Sequence, residues 1–239
     1  MALPAETERD SSSIVLVGRF NPAIFQPMWF AANELLSTED AENAIINVVH
    51  PEITQFATRQ FRLSVESEKF IVVCETLYRN VLYDLVVACF RKFLVYTPIR
   101  LMGLNRDLHF SVGSEEQRSR YGFELAPLSA WGEWGKEIEE TAKNANGGRH
   151  GGMMKVAMQQ SPRPDELDGY IQTEIQPSTL IRGNAGIYVI INDHYVIDPD
   201  EERPASAAMD VLEASWEQSG AVAEKIINSI MLKALPKGR

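Results

Sequence analysis

The order of strand-like and helix-like segments constrains this fold most, because the same order occurs twice along the 239 residues. Alternation of apolar and polar residues is typical of a half-buried strand, and apolar residues three or four positions apart are typical of an amphipathic helix. Each half contains a strand, a helix, three strands and a second helix. We expect the halves to span residues 13–97 and 98–239, with a disordered tail over residues 1–12.

These patterns predict the bounds of most elements. The predicted segments of the first half are the strand Ser12–Phe20, the helix Phe25–Leu36, the strands Asn43–Val49, Gln55–Val65 and Lys69–Glu75, and the helix Leu77–Phe93. Those of the second half are the strand Ile99–Val112, helical structure over Gln117–Glu140 broken at Pro127, a loop over Lys143–Gly152, the strands Met153–Gln159, Tyr170–Gln176 and Ile187–Ile197, and the helix Ser206–Leu235.

The predicted fold class is α+β, with one antiparallel sheet and the long helices on one of its faces. An antiparallel sheet tolerates an exposed second face, so two β-α-β-β-β-α halves can form a single compact unit. This order resembles duplicated folds of the TATA-box-binding-protein type, a saddle with helices above it, and the likeness concerns shape alone. No residue-level repeat is visible, so an unrelated α+β domain with the same order by chance is the alternative.

Composition narrows the class of function. The chain has 23 Lys and Arg against 33 Asp and Glu, a net charge of −10, which argues against a nucleic-acid partner. Its two cysteines, Cys74 and Cys89, lie in apolar segments and are typical of free thiols in a reducing cytoplasm. The apolar stretch Val81–Val95 is interrupted by charges and too short to span a bilayer. The acidic amino-terminal segment lacks the features of a signal peptide, so we expect a cytoplasmic protein.

Two segments resemble a known family. Residues 97–106 read Thr-Pro-Ile-Arg-Leu-Met-Gly-Leu-Asn-Arg, and apolar residues recur along the closing helix after Asp210. They are similar to the mid-chain strand and last helix of a sporadically distributed family of uncharacterised prokaryotic proteins. The resemblance covers residues 95–112 and 205–232, under a quarter of the chain. It implies a bacterial or phage source and no particular reaction, and the family's patchy distribution suggests a bacterial conflict system such as phage defence.

Candidate catalytic residues are few. His109 and His194 lie in separate predicted strands, and with Arg106 they are the residues that an enzyme of this sequence would use. Neither metal-ligand spacing nor a nucleophile motif is present, so we predict no metal and no cofactor. Ordinary polar positions in the sheet are the simpler interpretation of both histidines.

Arginines are the candidates for binding a small anion. Arg100 and Arg106 lie in one predicted strand, and Arg118 and Arg120 follow it. A guanidinium group suits phosphate or carboxylate recognition. Ion pairing with the surplus carboxylates is the alternative.

Trp131 and Trp134 are the candidate interface residues. Both lie in the glycine-flanked, acidic segment Trp131–Gly135. Tryptophan is enriched at protein interfaces, because it buries a large area with few rotamers. Covering the core beneath a loop is the alternative role.

The sequence therefore favours a non-enzymatic binding or assembly subunit that contacts another protein or a second copy of itself. The alternative is a hydrolase or nucleotide-handling enzyme with a site between the halves. A third interpretation is a sensor whose small-molecule ligand lies between the sheet and the long helices.

Overall fold

The computed structural model describes residues 7–144, 152–198 and 203–236, and they build one antiparallel sheet with helices. The strands are β1 (Thr7–Gly18), β2 (Ile45–His50), β3 (Ile53–Ala57), β4 (Phe61–Glu66), β5 (Lys69–Glu75), β6 (Pro98–Ser111), β7 (Val156–Gln160), β8 (Gly169–Pro177), β9 (Gly186–Val196) and β10 (Arg203–Pro204). Their order across the sheet is β2-β3-β4-β5-β1-β6-β9-β8-β7, and β10 pairs with β6. The predicted α+β class with an antiparallel sheet is confirmed.

Helices connect the strands at corresponding places in the two halves. They are α1 (Pro27–Ala32), α2 (Thr38–Glu42), α3 (Arg79–Ala88), α4 (Glu115–Leu125), α5 (Gly132–Asn144) and α6 (Ala205–Ala234). A π-helical turn, Cys89–Phe93, extends α3. A 3-10 turn, Leu128–Trp131, follows Pro127 and precedes α5, so the predicted interruption at Pro127 is confirmed.

The first and second halves meet where β1 pairs with β6 in antiparallel register, with Ile14 opposite Leu104. On the outer sides of this pair, β5 lies beside β1 and β9 lies beside β6. The two halves therefore extend the sheet in opposite directions from its centre. The likeness to a saddle stays a prediction.

Residues 7–12 differ from the predicted tail, because they form the first half of β1. Asp10 and Ser12 pair with Leu108 and Arg106 of β6, and Ser12 also pairs with Cys74 of β5. Residues 7–12 are all polar, so they lack the alternation of apolar and polar residues that predicts a strand. Backbone hydrogen bonds to β6, and from Ser11 onward also to β5, hold this polar segment in the sheet.

The first half has four strands after its helices, one more than predicted. The segment predicted as the single strand Gln55–Val65 is divided into β3 and β4 by a turn at Thr58. The Thr58 hydroxyl accepts hydrogen bonds from the backbone N–H groups of Gln60 and Phe61. A hydroxyl builds this turn in place of glycine or proline, which is why the usual sequence signals are missing.

Two apolar clusters form the core, and both lie on the helix-bearing face of the sheet. The first packs α1, α3 and the beginning of α6 against β1, β4 and β5, with Phe70, Phe90 and Leu212 among its members. The second packs the end of α6 against β6 and β9, with Phe110 and Ile227 among its members. Because α6 contributes to both clusters, its 30 residues join the two halves.

Candidate functional site

A pair of exposed tryptophans is formed by the turn that precedes α5. Trp131 ends the 3-10 turn and Trp134 lies in the first turn of α5, with ring centroids 5.5 Å apart in an edge-to-face arrangement. Gly132, between them, has a φ of 59°, a conformation that favours glycine. A Cβ on Gly135 would lie 2.0 Å from the Leu128 carbonyl oxygen. The two glycines therefore permit the tight turn that brings the rings together.

This surface, which we call the tryptophan surface, consists of Trp131, Trp134 and the exposed side chains of α5. The two tryptophans are 54% and 57% exposed. Residues 132–141 carry four glutamates and one lysine, and Lys136 pairs with Glu133 at 2.6 Å. Exposed large aromatic rings beside charged residues are typical of a protein-binding surface.

His109 lies on the face of the sheet opposite the helices and is 7% exposed. Its ring stacks on Tyr188 at 4.0 Å, and its Nδ1 lies 2.9 Å from the Ser178 hydroxyl oxygen. That oxygen already accepts hydrogen bonds from the N–H groups of Leu180 and Ile181, so its proton points to His109 Nδ1. The histidine thus holds the β8–β9 connection in place. Burial, and next the positive charge of Arg9, lower the pKa of His109.

His194 lies on the same open face but further along the sheet. It pairs with Gly103 of β6, whereas His109 pairs with Tyr188 of β9. Six residues of β6 therefore separate the two positions, or about 20 Å at the rise of an extended strand. The His194 ring stacks on Tyr170 at 4.5 Å, and burial followed by the charge of Arg163 lowers the pKa of His194.

Arg106 lies on the helix-bearing face, opposite Ser12 and next to the apolar clusters. Its Nε and Nη2 donate to the two carboxylate oxygens of Asp10 at 3.0 and 2.7 Å. The structure therefore does not bring Arg106 together with His109 and His194. The sequence could have predicted this separation, because side chains alternate between the two faces of a strand. Arg106 and His109 are three positions apart in β6 and therefore lie on opposite faces.

Arg100 and Arg106, the two residues predicted to bind an anion, also lie apart. Arg100 is exposed near the beginning of β6, and about 20 Å of extended strand separates it from Arg106. Arg118 lies 3.6 Å from Glu115 and Arg120 lies 4.0 Å from Glu124. Both contacts agree with the alternative role of these helix arginines, pairing with carboxylates.

The sequence does not predict a buried ion-pair network that lies at the end of β9. Arg163 pairs with Asp165 and Asp193, and its guanidinium carbon lies 3.9 Å from the centre of the Tyr195 ring. The Tyr195 hydroxyl donates to Asp193 at 2.8 Å. These bonds satisfy the buried charges and attach the β7–β8 connection to β9. Arg163 lies between two prolines in a polar segment, so the sequence carries no signal of its burial.

Within residues 7–144, 152–198 and 203–236, no group of three or more His, Cys, Asp or Glu side chains is arranged to hold a metal ion. None of the helices in that same part of the chain is long and apolar enough to cross a membrane. His150 and most of the loop predicted over Lys143–Gly152 lie outside the described residues.

Neither a protein-family model nor a curated protein matches this chain. The resemblance to an uncharacterised prokaryotic family therefore stays a prediction.

Proposed function

We propose that this chain is a non-enzymatic binding subunit that acts through protein–protein contacts made by the tryptophan surface. The observation that carries the proposal is the exposed pair Trp131 and Trp134, held edge to face by a glycine turn. Burying two such rings supplies much of the binding energy of a typical interface.

The partner is a protein with an apolar pocket and a basic rim. Four glutamates lie in residues 132–141, the same segment as Trp134, and the whole chain carries a net charge of −10. Opposite charges around an apolar contact increase the association rate and disfavour acidic partners. Salt should therefore weaken the complex mainly by slowing its formation.

The alternative, a hydrolase or nucleotide-handling enzyme, requires His109, His194 and Arg106 at one substrate. Their positions on two faces of the sheet give this alternative no support. A setting in bacterial conflict rests on the family resemblance alone and stays a prediction.

Native mass spectrometry of the chain, purified gently at low salt from its own cells, tests the proposal. We expect a complex heavier than the 26.8 kDa chain, and its loss in Trp134→Ala. Tyr96→Ala is the matched control, because it removes another exposed aromatic ring, 88% exposed, from a different part of the surface. Glu137→Lys should weaken the complex if its partner is basic.

Three results would contradict parts of the proposal. A mass of 26.8 kDa alone would exclude a stable complex under these conditions. If the complex persists in Trp134→Ala, the partner binds to another surface. A third result is a mass that is a multiple of the chain mass and that Trp134→Ala returns to the mass of one chain. It would confirm the tryptophan surface as the contact but show that the partner is a second copy of this chain.

A further inference from the structure

A polar gap separates the two apolar clusters at the centre of the helix-bearing face. Ser12 of β1 and Arg106 of β6 lie opposite each other in this gap. The pair Ile14 and Leu104 on one side belongs to the first cluster, and Leu108 on the other side belongs to the second. The apolar layer is therefore interrupted where the two halves of the chain meet.

Small residues of α6 face this gap and leave a cleft of about 380 Å³. Ser219, Gly220 and Ala223 line it, while Leu212 and Ile227 fill the core on either side. A Cβ on Gly220 would lie 2.6 Å from the Arg79 guanidinium. Glycine at this position thus gives room for Arg79 at the cleft.

A chain of hydrogen bonds orders one wall of the cleft. The Thr76 hydroxyl donates to Asp10 at 2.6 Å, so the hydroxyl of Ser12, 3.0 Å from Thr76, donates to Thr76. With the two bonds from Arg106, the Asp10 carboxylate accepts three hydrogen bonds from side chains. The negative charge of Asp10 therefore offsets the positive charge of Arg106.

Arg79 is the second arginine that lines the cleft. Its Nη2 donates to the Trp216 carbonyl oxygen at 2.8 Å, and its guanidinium carbon lies 4.3 Å from the centre of the Trp216 ring. Glu217, which is 83% exposed, forms an ion pair with Arg79 at 3.6 Å from Nη1, but this distance is too long for a hydrogen bond and water screens the pair. In the described part of the chain, Arg79 Nε and Arg106 Nη1 donate to no acceptor, so each arginine retains a donor for a ligand.

We do not expect the ion pair of Arg106 and Asp10 to be needed for the stability of the fold. The side chains of Arg106 and Asp10 are only 14% and 19% exposed. Replacing a buried ion pair with well-packed apolar residues is often neutral or stabilising. Charged residues that interrupt an apolar core are expected at functional sites.

We propose that this cleft, formed by Ser12, Thr76, Arg79, Arg106, Trp216 and Gly220, binds a small molecule through a single carboxylate or phosphate group. The oxygens of that group accept hydrogen bonds from the two guanidinium groups. Glu217 and Glu224 line the same cleft, and their charge disfavours a polyanion. The site is separate from the tryptophan surface and does not depend on the function proposed for it.

Thermal unfolding with inorganic phosphate or sodium lactate, at constant ionic strength, tests this site. A ligand of the native state raises the melting temperature in a saturable way. We expect such a rise with at least one of the two probes, and at least a tenfold weaker apparent affinity in Arg79→Gln. Arg120→Gln removes the same charge from an exposed position outside the cleft, so this control should bind as the wild type does.

Gly220→Ala provides a second variant, because its methyl group displaces the Arg79 guanidinium without changing the charge of the cleft. It should weaken binding as Arg79→Gln does. Phosphate binding alone would indicate a phosphorylated ligand, and lactate binding alone a carboxylic acid. The proposal is overturned if neither probe gives a saturable shift, or if Arg79→Gln and Gly220→Ala leave the shift unchanged. Trp134→Ala should retain the shift, which separates this test from that of the protein contact.

Discussion

At the scale of single residues, burial decides what the ionisable groups of this chain do. Arg163 and Asp193 are both almost fully buried and depend on each other, whereas Arg59 and Asp40 form a pair at the surface. Desolvation makes an isolated buried charge costly, while water screens an exposed pair. The same type of ion pair should therefore differ in its effect on stability at the two places.

Removing Arg163 should be strongly destabilising, because it leaves the Asp193 carboxylate buried without its cation. We expect Arg163→Gln to lower the free energy of unfolding by about 3–5 kcal/mol. Arg59→Gln should lower it by about 1 kcal/mol or less. Urea unfolding of the two variants measures the difference, and similar losses would contradict the role assigned to burial.

His109 should make stability dependent on pH near neutrality. Because burial lowers its pKa in the folded state, the unfolded chain takes up a proton first as the pH falls below about 6.5. Stability contributed by neutral His109 is therefore present above pH 6.5 and lost on acidification. Thermal unfolding at pH 7.5 and 5.5 should show a smaller decrease for His109→Gln than for the wild type. An equal decrease would show that the titration of other groups dominates.

The thiols of Cys74 and Cys89 should be inert in the folded protein. Burial raises the pKa of each to about 12, so almost no thiolate forms near neutral pH. A thiol-reactive dye at pH 8 should label neither cysteine quickly in buffer and both in denaturant. Rapid labelling of the folded chain would mean that one of these segments opens readily.

At the scale of elements, glycine sets the geometry of the tryptophan surface. A methyl group on Gly135 would collide with the Leu128 carbonyl, so the 3-10 turn could not pack on α5 as it does. Lys69–Glu75 shows the opposite case, because its continuous apolar run between two charged residues predicts β5 with its observed bounds. The local pattern of apolar residues is thus enough to predict a strand. A tight turn depends on contacts between particular residues, and the local sequence pattern does not show these contacts.

Gly135→Ala should disturb the contact between Trp131 and Trp134. We expect a changed near-ultraviolet circular dichroism spectrum and weaker partner binding. The free energy of unfolding should fall by about 1–3 kcal/mol, since the change is local. Thr141→Ala, on the exposed surface of the same helix, should leave the spectrum unchanged. An unchanged spectrum in Gly135→Ala would show that the turn tolerates a side chain.

At the scale of the whole molecule, α6 makes the two halves depend on each other. Leu212 packs in the first cluster and Ile227 in the second, and one sheet runs beneath both. A change in either cluster should therefore destabilise the whole chain. Two halves with a similar order of elements therefore need not be two independent domains.

Leu212→Ala and Ile227→Ala should each lower the free energy of unfolding by about 2–5 kcal/mol. Both should keep a single transition, with tryptophan fluorescence and far-ultraviolet circular dichroism changing together. Two separate transitions in either variant would show that the halves unfold as independent units.

The amino-acid sequence by itself determines the α+β class and the approximate bounds of most elements, because these depend on periodicities of two and about 3.6 residues. Only the tertiary structure decides that Arg163 is buried, that Asp10 continues β1, and that Arg79 and Arg106 line the same cleft. Those outcomes depend on pairs such as Arg79 and Trp216, which are 137 residues apart. A local pattern cannot show which distant polar groups will compensate one another, because the free energy of burying each depends on its partner.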